Sequence, residues 1–570
     1  MTETHTGEPA VTHSDPTPDV SSMQKELFGV FGDHERFDAY RSADEFHTVV
    51  SGERVTVGVR DRALGVPHRT TVTEADDGLC VVWGEAFTPA DATTGTAEWL
   101  LDRYREHGRS AVEGLNGSYL AVLEHDGEAL VAGDLIRSWE CFYTDALDDR
   151  TFGTDATALV ELLDETTPRR RSVLEFLHLG TVLGDRTLFE ELDRVPFDGY
   201  LRPSSVGEFR RFVYDPQPGE YATALADRLT RAIDRRADYP GRTGLLLSAG
   251  QDSRTILAGR PDVDHCYTIG RPDSQEVDVA RKLATQYDTE HTTLEPGARY
   301  LRADAEKIKH TQGLRESLHV HHAGYDDELD VDTMYHGLLY DTLFKGYFLE
   351  RRTYEISGVE VPSTRLASDV DPVESLLDTL GFMPEGSQRL GVRATELFDD
   401  AQLDDPRAFV RDCLAEELAA CEWRADSVHN RMDLLVLRNQ PVMHFRTHLA
   451  DNYLESFVAA DRELLEWHLQ TPPRYRHDVT VDAALAAMDE SLLRHRPPSR
   501  PHTVELLNQA ERFARRKLPL LTPIEPAWPD REELYDRHDL DAEFFPDRPT
   551  LHDLPARQKL RVNDLRWWLP

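Results

Sequence analysis

The chain has 570 residues, enough for two or three domains with an ample core. Its 104 acidic and 64 basic side chains leave a net charge of −40, and only seven of the basic ones are lysine. No basic patch interrupts the acid, which argues against a nucleic-acid or anionic-membrane partner and suits a high-salt cytoplasm.

Residues 1–22 are Thr/Pro/Asp-rich with almost no large apolar side chains, so a disordered acidic tail is expected there. From Leu27 to about Pro203 the pattern is short β runs: Leu27–Phe31, Arg54–Val59, Leu79–Trp83, Ser118–Leu123 and Leu130–Ala132. With one helix over Thr96–His107, they predict an α+β sandwich. A helical stretch, Ser172–Leu179, leads into a connector, Gly180–Phe189. After about residue 206, strands at Gly244–Leu247, His265–Ile269 and Thr333–His336 alternate with helices such as Tyr221–Arg236 and Gln275–Tyr287. That alternation predicts a doubly wound parallel sheet. From about Glu374 the chain reads as mostly helical, with Pro/Arg-rich joints at Arg494–His502 and Thr522–Arg531, and Trp567-Trp568 is expected to dock on the core.

The cysteines, Cys80, Cys141, Cys266, Cys413 and Cys421, form no C-x-x-C pair, which argues against structural zinc or a disulfide framework. No apolar run approaches the length of about eighteen residues that a membrane span needs, and no charged-then-apolar leader opens the chain. A soluble, cytoplasmic protein is expected.

Two segments carry chemistry. Gly244–Leu247 runs into Ser248, Gly250, Asp252 and Ser253 at S-x-G-x-D-S spacing, followed by an apolar segment that can open a helix. A turn between strand and helix points backbone N–H groups and the positive helix end at one spot, a ready anion site. Read blandly, it is a tight turn with a capping Asp or Ser. The second segment, Gly337–Tyr347, follows the strand ending at His336 and puts Asp341 just past a strand's carboxyl end. Two turns with one Asp each suit Mg²⁺ on a polyphosphate, since Mg²⁺ takes one or two carboxylates plus phosphate oxygens. Asp341 read alone is an ordinary helix cap. Arg254 and Lys345 are cations beside the two turns, open to phosphate contact or to a surface role. His310, His319, His321 and His322 cluster between the segments, where a polar helix near the pocket is expected in preference to a metal site.

Together these segments resemble the asparagine synthetase family, with its S-G-G-x-D-S and S-G-E-G-x-D-E-L-F-G-G-Y motifs. The first matches at Ser248, Gly250, Asp252 and Ser253, the second at Gly337, Asp341, Leu343, Phe344, Gly346 and Tyr347. Between them Tyr267–Gly270, Glu276, Ala280 and His291 also resemble the family. The resemblance implies ATP and Mg²⁺, with Asp252 and Asp341 on the metal and the Ser248–Ser253 loop on the pyrophosphate. It implies an adenosine pocket of Leu246, Ile269, Gly270, His336 and Gly337, and catalytic roles for Asp341, Lys345 and Glu455. The implied reaction activates a small-molecule carboxylate as an acyl-adenylate and transfers it to ammonia or an amine. Thr342 and Leu338 stand where the family has Glu, and Glu455–Asp461 only echoes its later E-v-R-x-P-F-x-D segment. Glu455 is open to orienting or deprotonating the amine, or to being a solvated helix carboxylate. The acceptor and the existence of a homodimer stay open. A β-lactam or macrolactam cyclase is the alternative, and a non-catalytic scaffold the alternative of another class.

The amino-terminal part resembles the family's class II glutaminase half, an N-terminal-nucleophile fold. Phe28 stands in the register of the nucleophilic Cys and is internal to the chain. The oxyanion-hole segment reads Trp83-Gly84-Glu85, and the glutamine-binding segment Thr96-Ala97-Glu98. Leu115–Ala121, Asp134, Tyr143 and Phe152–Asp155 keep the architectural pattern. A catalytically dead glutaminase half is expected over 23–205, an ATP-pyrophosphatase domain over 206–520 with a helical carboxyl-terminal region, and an extension over 521–570.

Overall fold

The computed structural model describes residues 20–569 apart from 21, 91, 357–358, 400, 441, 503–506, 509, 512–513 and 516–525. The tail expected over 1–22 lies almost wholly outside the described residues. Val20 is already buried in the core.

The amino-terminal part is a sandwich of two six-stranded sheets whose strands pair antiparallel. One sheet centres on Glu26–Val30 between Thr151–Gly153 and Thr56–Arg60. The other centres on Asn116–His125 between Gly78–Phe87 and Glu128–Gly133. Strand alternation sorts the side chains onto two faces. Leu27, Val57, Val81, Trp83, Leu120 and Val122 fill the space between the sheets. Cys80, Val82 and Ala86 face outward onto Leu100, Leu101 and Tyr104 of the helix Thr96–His107. On the opposite outer face Phe28 and Val30 share a core with Phe176 and Leu177 of the helix Arg170–Leu179, and with Leu560, Leu565 and Trp568 of the helix Ala556–Trp568. Both expected helices are present, and the carboxyl-terminal tryptophan docks on the core as the sequence suggests.

The second part is built on a five-stranded sheet ordered Glu290–Leu294, His265–Ile269, Thr243–Leu246, Thr333–Tyr335, Leu454–Ser456, every neighbouring pair parallel. The chain lays down three strands in one direction, then crosses back to the far side of Thr243–Leu246 for the fourth. That reversal opens a crevice at the carboxyl ends of Thr243–Leu246 and Thr333–Tyr335. Helices between Pro372 and Met488 complete this part, as the sequence texture indicates. The strand Leu454–Ser456 has no counterpart in the sequence reading, because three residues of mixed polarity carry no period.

Asp155, 1% exposed, caps the short helix Ala156–Val160 through the Thr157 N–H and also accepts the Met23 N–H at 2.7 Å. Burial pushes its carboxyl up to about 7, helped by the nearby Glu26 carboxylate. A carboxyl raised on folding stabilises the fold while protonated, and that contribution fades as pH climbs from its unfolded value through about 7. Unfolding free energy from urea melts is therefore expected to fall from pH 5 to pH 8 more gently in Asp155→Asn than in the parent, because asparagine cannot ionise. Equal slopes would refute the assignment.

Candidate active site

Both sequence-identified segments emerge at the crevice. Past Leu247 the chain turns through Ser248–Gly250 into the helix Gln251–Gly259. The Ser248 N–H donates to Ser253 Oγ at 2.9 Å, and the Gly250 N–H to Ser248 Oγ at 3.1 Å, so the two serines brace the turn internally. Gly250 caps the helix and supplies no side-chain acceptor, which leaves the leading N–H groups available to an anion. Arg254 lies behind this loop, fully buried. Its guanidinium donates to Ala249 O, to Gly250 O at 2.8 Å, and to Leu492 O and His495 O at 2.8 Å. It is thus a brace on the loop's carbonyls instead of a phosphate contact, and burial draws its pKa down to about 10.

The second segment touches the first at Gly337. A Cβ there would come within 2.7 Å of Asp252 Cβ and 3.0 Å of Ser253 N, so only glycine allows the two loops to meet. Leu339, two residues on, holds φ at 68°, a left-handed backbone that costs a leucine about 1–2 kcal/mol. The helix Tyr340–Lys345 follows, with Asp341 and Lys345 one turn apart on one face. The Lys345 ammonium lies 2.6 Å from Asp341 Oδ1 and 2.6 Å from Asp252 Oδ1, so both carboxylates converge on one cation. Burial pushes the Asp252 carboxyl up to about 7; Lys345 opposes that rise and the Asp341 carboxylate adds to it. The two converging carboxylates supply the oxygen ligands that Mg²⁺ takes alongside phosphate oxygens, and the Lys345 ammonium bridges them in its place.

A cavity of about 430 Å³ fills the crevice. Leu246, Ser248, Asp252, Ser253, Ile269, His336, Gly337 and Asp341 all line it. Gly250 and Lys345 line a second cavity of about 660 Å³ that shares Ser248, Asp252 and Asp341 with the first. Gly270 stands behind the wall, its N–H bonded to Leu294 O at 2.9 Å. Glu455 lines neither cavity. It sits in the strand Leu454–Ser456, 3% exposed, accepting from Arg446 Nε at 2.8 Å and His336 Nε2 at 2.8 Å. The solvated-helix alternative is therefore replaced by a buried strand carboxylate one layer behind His336. Burial alone would raise its pKa, but Arg446 and His336 outweigh burial and hold it at about 2.

The cavity wall also includes Phe445 and Trp528, which sequence reasoning missed. Neither stands in a motif, and both reach the crevice from segments far along the chain. His321 lies between them, ring centroids 5.0 Å from Phe445 and 5.2 Å from Trp528. Burial draws His321 down to about 3 and His322 well below its ordinary value, so this wall is made of neutral imidazoles and aromatic rings. Among the described residues no group of His, Cys, Asp and Glu has a metal-holding arrangement of three or more.

A strand-order reversal whose two facing loops carry a serine-braced turn and paired aspartates defines a domain of the doubly wound class. Within that class, residues 224–324 match the asparagine synthase family model. The matched span contains the Ser248–Arg254 loop and ends short of Gly337–Tyr347. No curated protein matches the chain. Solved structures that resemble it include two enzymes with low identity to this chain. The allosteric regulatory enzyme of purine biosynthesis is 10% identical over 48% of this chain and 75% of its own, with a TM-score of 0.22. Glutamine phosphoribosylpyrophosphate amidotransferase from B. subtilis, complexed with ADP and GMP, is 12% identical over 68% and 89%, with a TM-score of 0.19. The fold is defined by the strand order itself.

Arg254→Met removes four hydrogen bonds to backbone carbonyls, two of them buried. It is expected to lower unfolding free energy by about 3–5 kcal/mol in denaturant melts, with Arg254→Lys intermediate. A loss under about 1 kcal/mol would mean the loop does not depend on this brace.

Proposed function

We propose that this protein is an ATP-dependent, AMP-forming amide ligase that activates a small-molecule carboxylate as an acyl-adenylate and transfers it to ammonia or an amine. The observation that carries this reading is the convergence of Asp252 and Asp341, from two separate loops, on one cation at the sheet's switch point. In this reading ATP lies with its base toward Leu246 and Ile269 and its phosphates over the Ser248–Ser253 turn. Asp252 and Asp341 would hold Mg²⁺, which when bound neutralises charge on the polyphosphate. The leading N–H groups of the helix Gln251–Gly259 take the β- and γ-phosphate oxygens. Lys345 stays protonated, because its two carboxylate partners raise its pKa against burial, and it adds a fixed positive charge beside the leaving pyrophosphate.

The acceptor carboxylate oxygen forms a bond to the α-phosphorus while the bond to the β-phosphate oxygen breaks, and pyrophosphate departs with the electron pair. The nitrogen then bonds to the acyl carbon, AMP leaves with the C–O electron pair, and the nitrogen releases one proton. Positioning and charge stabilisation carry both steps. Nothing in the geometry of Thr342 or Leu338, which replace the family's two Glu, interrupts the aspartate pair.

The sandwich contributes no nitrogen in this reading. Phe28 is fully buried, its ring 5.6 Å from Phe37 and 6.1 Å from Phe46, with the Arg41 guanidinium 5.1 Å above it. Burial raises the thiols of Cys80 and Cys141 far above the range of a reactive cysteine. Free ammonia or a substrate amine is therefore the nitrogen source, and a ring closure joining an amine and a carboxylate of one molecule uses the same first step.

Pyrophosphate exchange into ATP, scanned across small carboxylates with Mg²⁺, is expected to identify an acceptor, and Asp252→Asn is expected to reduce it at least a hundredfold. No exchange with any acid would favour the scaffold reading. Glutamine alone is expected to yield no glutamate; its release would overturn the inactive-sandwich assignment.

A further inference from the structure

His336 is a cavity residue whose side chain is held from behind by a charged relay. Its Nδ1 accepts the Leu338 N–H at 3.3 Å and its Nε2 faces Glu455 Oε1 at 2.8 Å. With Nδ1 accepting, the bonding assigns the proton to Nε2, and both ring nitrogens are engaged. Glu455 is gripped in turn by Arg446, Nε to Oε1 at 2.8 Å and Nη2 to Oε2 at 3.1 Å.

Arg446 is 1% exposed and reaches into the amino-terminal sandwich. Its Nη2 donates to Ser118 Oγ at 2.7 Å and its Nη1 to Ser138 O. The guanidinium also lies 4.0 Å from the Trp139 ring centroid and 4.7 Å from that of Phe457. Ser118 sits on the strand Asn116–His125, more than 300 residues from Arg446 in sequence. An unbroken line of buried polar contacts thus runs from the sandwich through Arg446 and Glu455 to a residue on the cavity wall. That residue directly precedes Gly337, whose backbone presses on Asp252.

We infer that Arg446 is a positioning residue through which the amino-terminal sandwich fixes the orientation of His336 in the nucleotide cavity. The inference rests on the reading that this cavity takes ATP. It assigns the sandwich a part in the synthetase site even though its own nucleophile position holds Phe28. It also explains why Glu455 stays ionised behind the wall. A buried carboxylate with both oxygens engaged by a guanidinium and an imidazole is a fixed strut, unsuited to exchanging protons with substrate.

Ser118→Ala deletes one hydroxyl on the sandwich side, remote from the cavity, and is the mildest break in the line. In the full-length protein, Mg·ATP affinity measured by calorimetry is expected to weaken about five- to tenfold in Ser118→Ala while the melting temperature stays within a few degrees. Arg446→Met is expected to weaken it more, and Arg446→Lys to recover part of the loss. In a His336→Gln background, Ser118→Ala is expected to add nothing further, since its effect travels through the imidazole. Equal effects of Ser118→Ala in both backgrounds, or no effect in the parent, would overturn the inference alone. A parent protein that does not bind Mg·ATP would overturn the proposed function and this inference with it.

Discussion

A guanidinium taken out of water is costly unless its N–H groups find acceptors, and this fold is assembled on that constraint. Arg194, Arg236, Arg254, Arg424, Arg446, Arg476 and Arg561 are among its largest fully buried side chains. Most join segments distant in sequence. Arg236 pairs with Glu85 of the sandwich and Asp461 of the parallel-sheet part, Arg424 with Asp198, and Arg561 with Glu316. Removing one partner of such a pair strands the other without water. The contacts therefore specify one relative placement of the segments more sharply than apolar surface does, because apolar surface tolerates sliding.

The site inherits its rigidity from these pairs. Arg254 fixes the Ser248–Ser253 loop from behind, Gly337 lets the second loop seat against it, and Arg446 with Glu455 holds His336. Each element of the crevice is thus set by a contact outside the crevice. Preorganisation of this kind is what phosphoryl and acyl transfer require, because the reacting bonds are supplied by substrates and the protein mainly supplies geometry and charge.

Much of this was legible in the sequence. The strands Thr243–Leu246 and His265–Ile269 are apolar runs of the length a buried parallel strand needs, and the helix Thr96–His107 announces itself by its spacing. The aspartates of the two loops were found because the spacing of their neighbours is itself chemical. Legibility ended where partners are far apart in the chain. Arg254 stands beside a phosphate-type turn and was open to being a phosphate contact; its acceptors at Leu492 and His495 lie more than 230 residues away. Glu455 is buried by the neighbouring strand Thr333–Tyr335 and by His336, more than 100 residues earlier, and no local pattern marks it. Phe445 and Trp528 enter the cavity through tertiary packing, and no local pattern separates a wall aromatic from a core one.

In a chain that uses arginine almost everywhere, Lys25, Lys307, Lys309 and Lys559 are buried, and the Lys345 side chain is only 12% exposed. Lys282 is exposed, and Lys517 lies outside the described residues. Lysine thus survives mostly where a compact ammonium is needed in place of a planar fork. Lys25 meets Asp61, Lys559 meets Asp541, and Lys345 fits between two carboxylates that approach from different loops. Its compact charge sits 2.6 Å from an oxygen of each. The ammonium thereby ties the two loops together at the head of the crevice, each loop contributing one aspartate to a single charge.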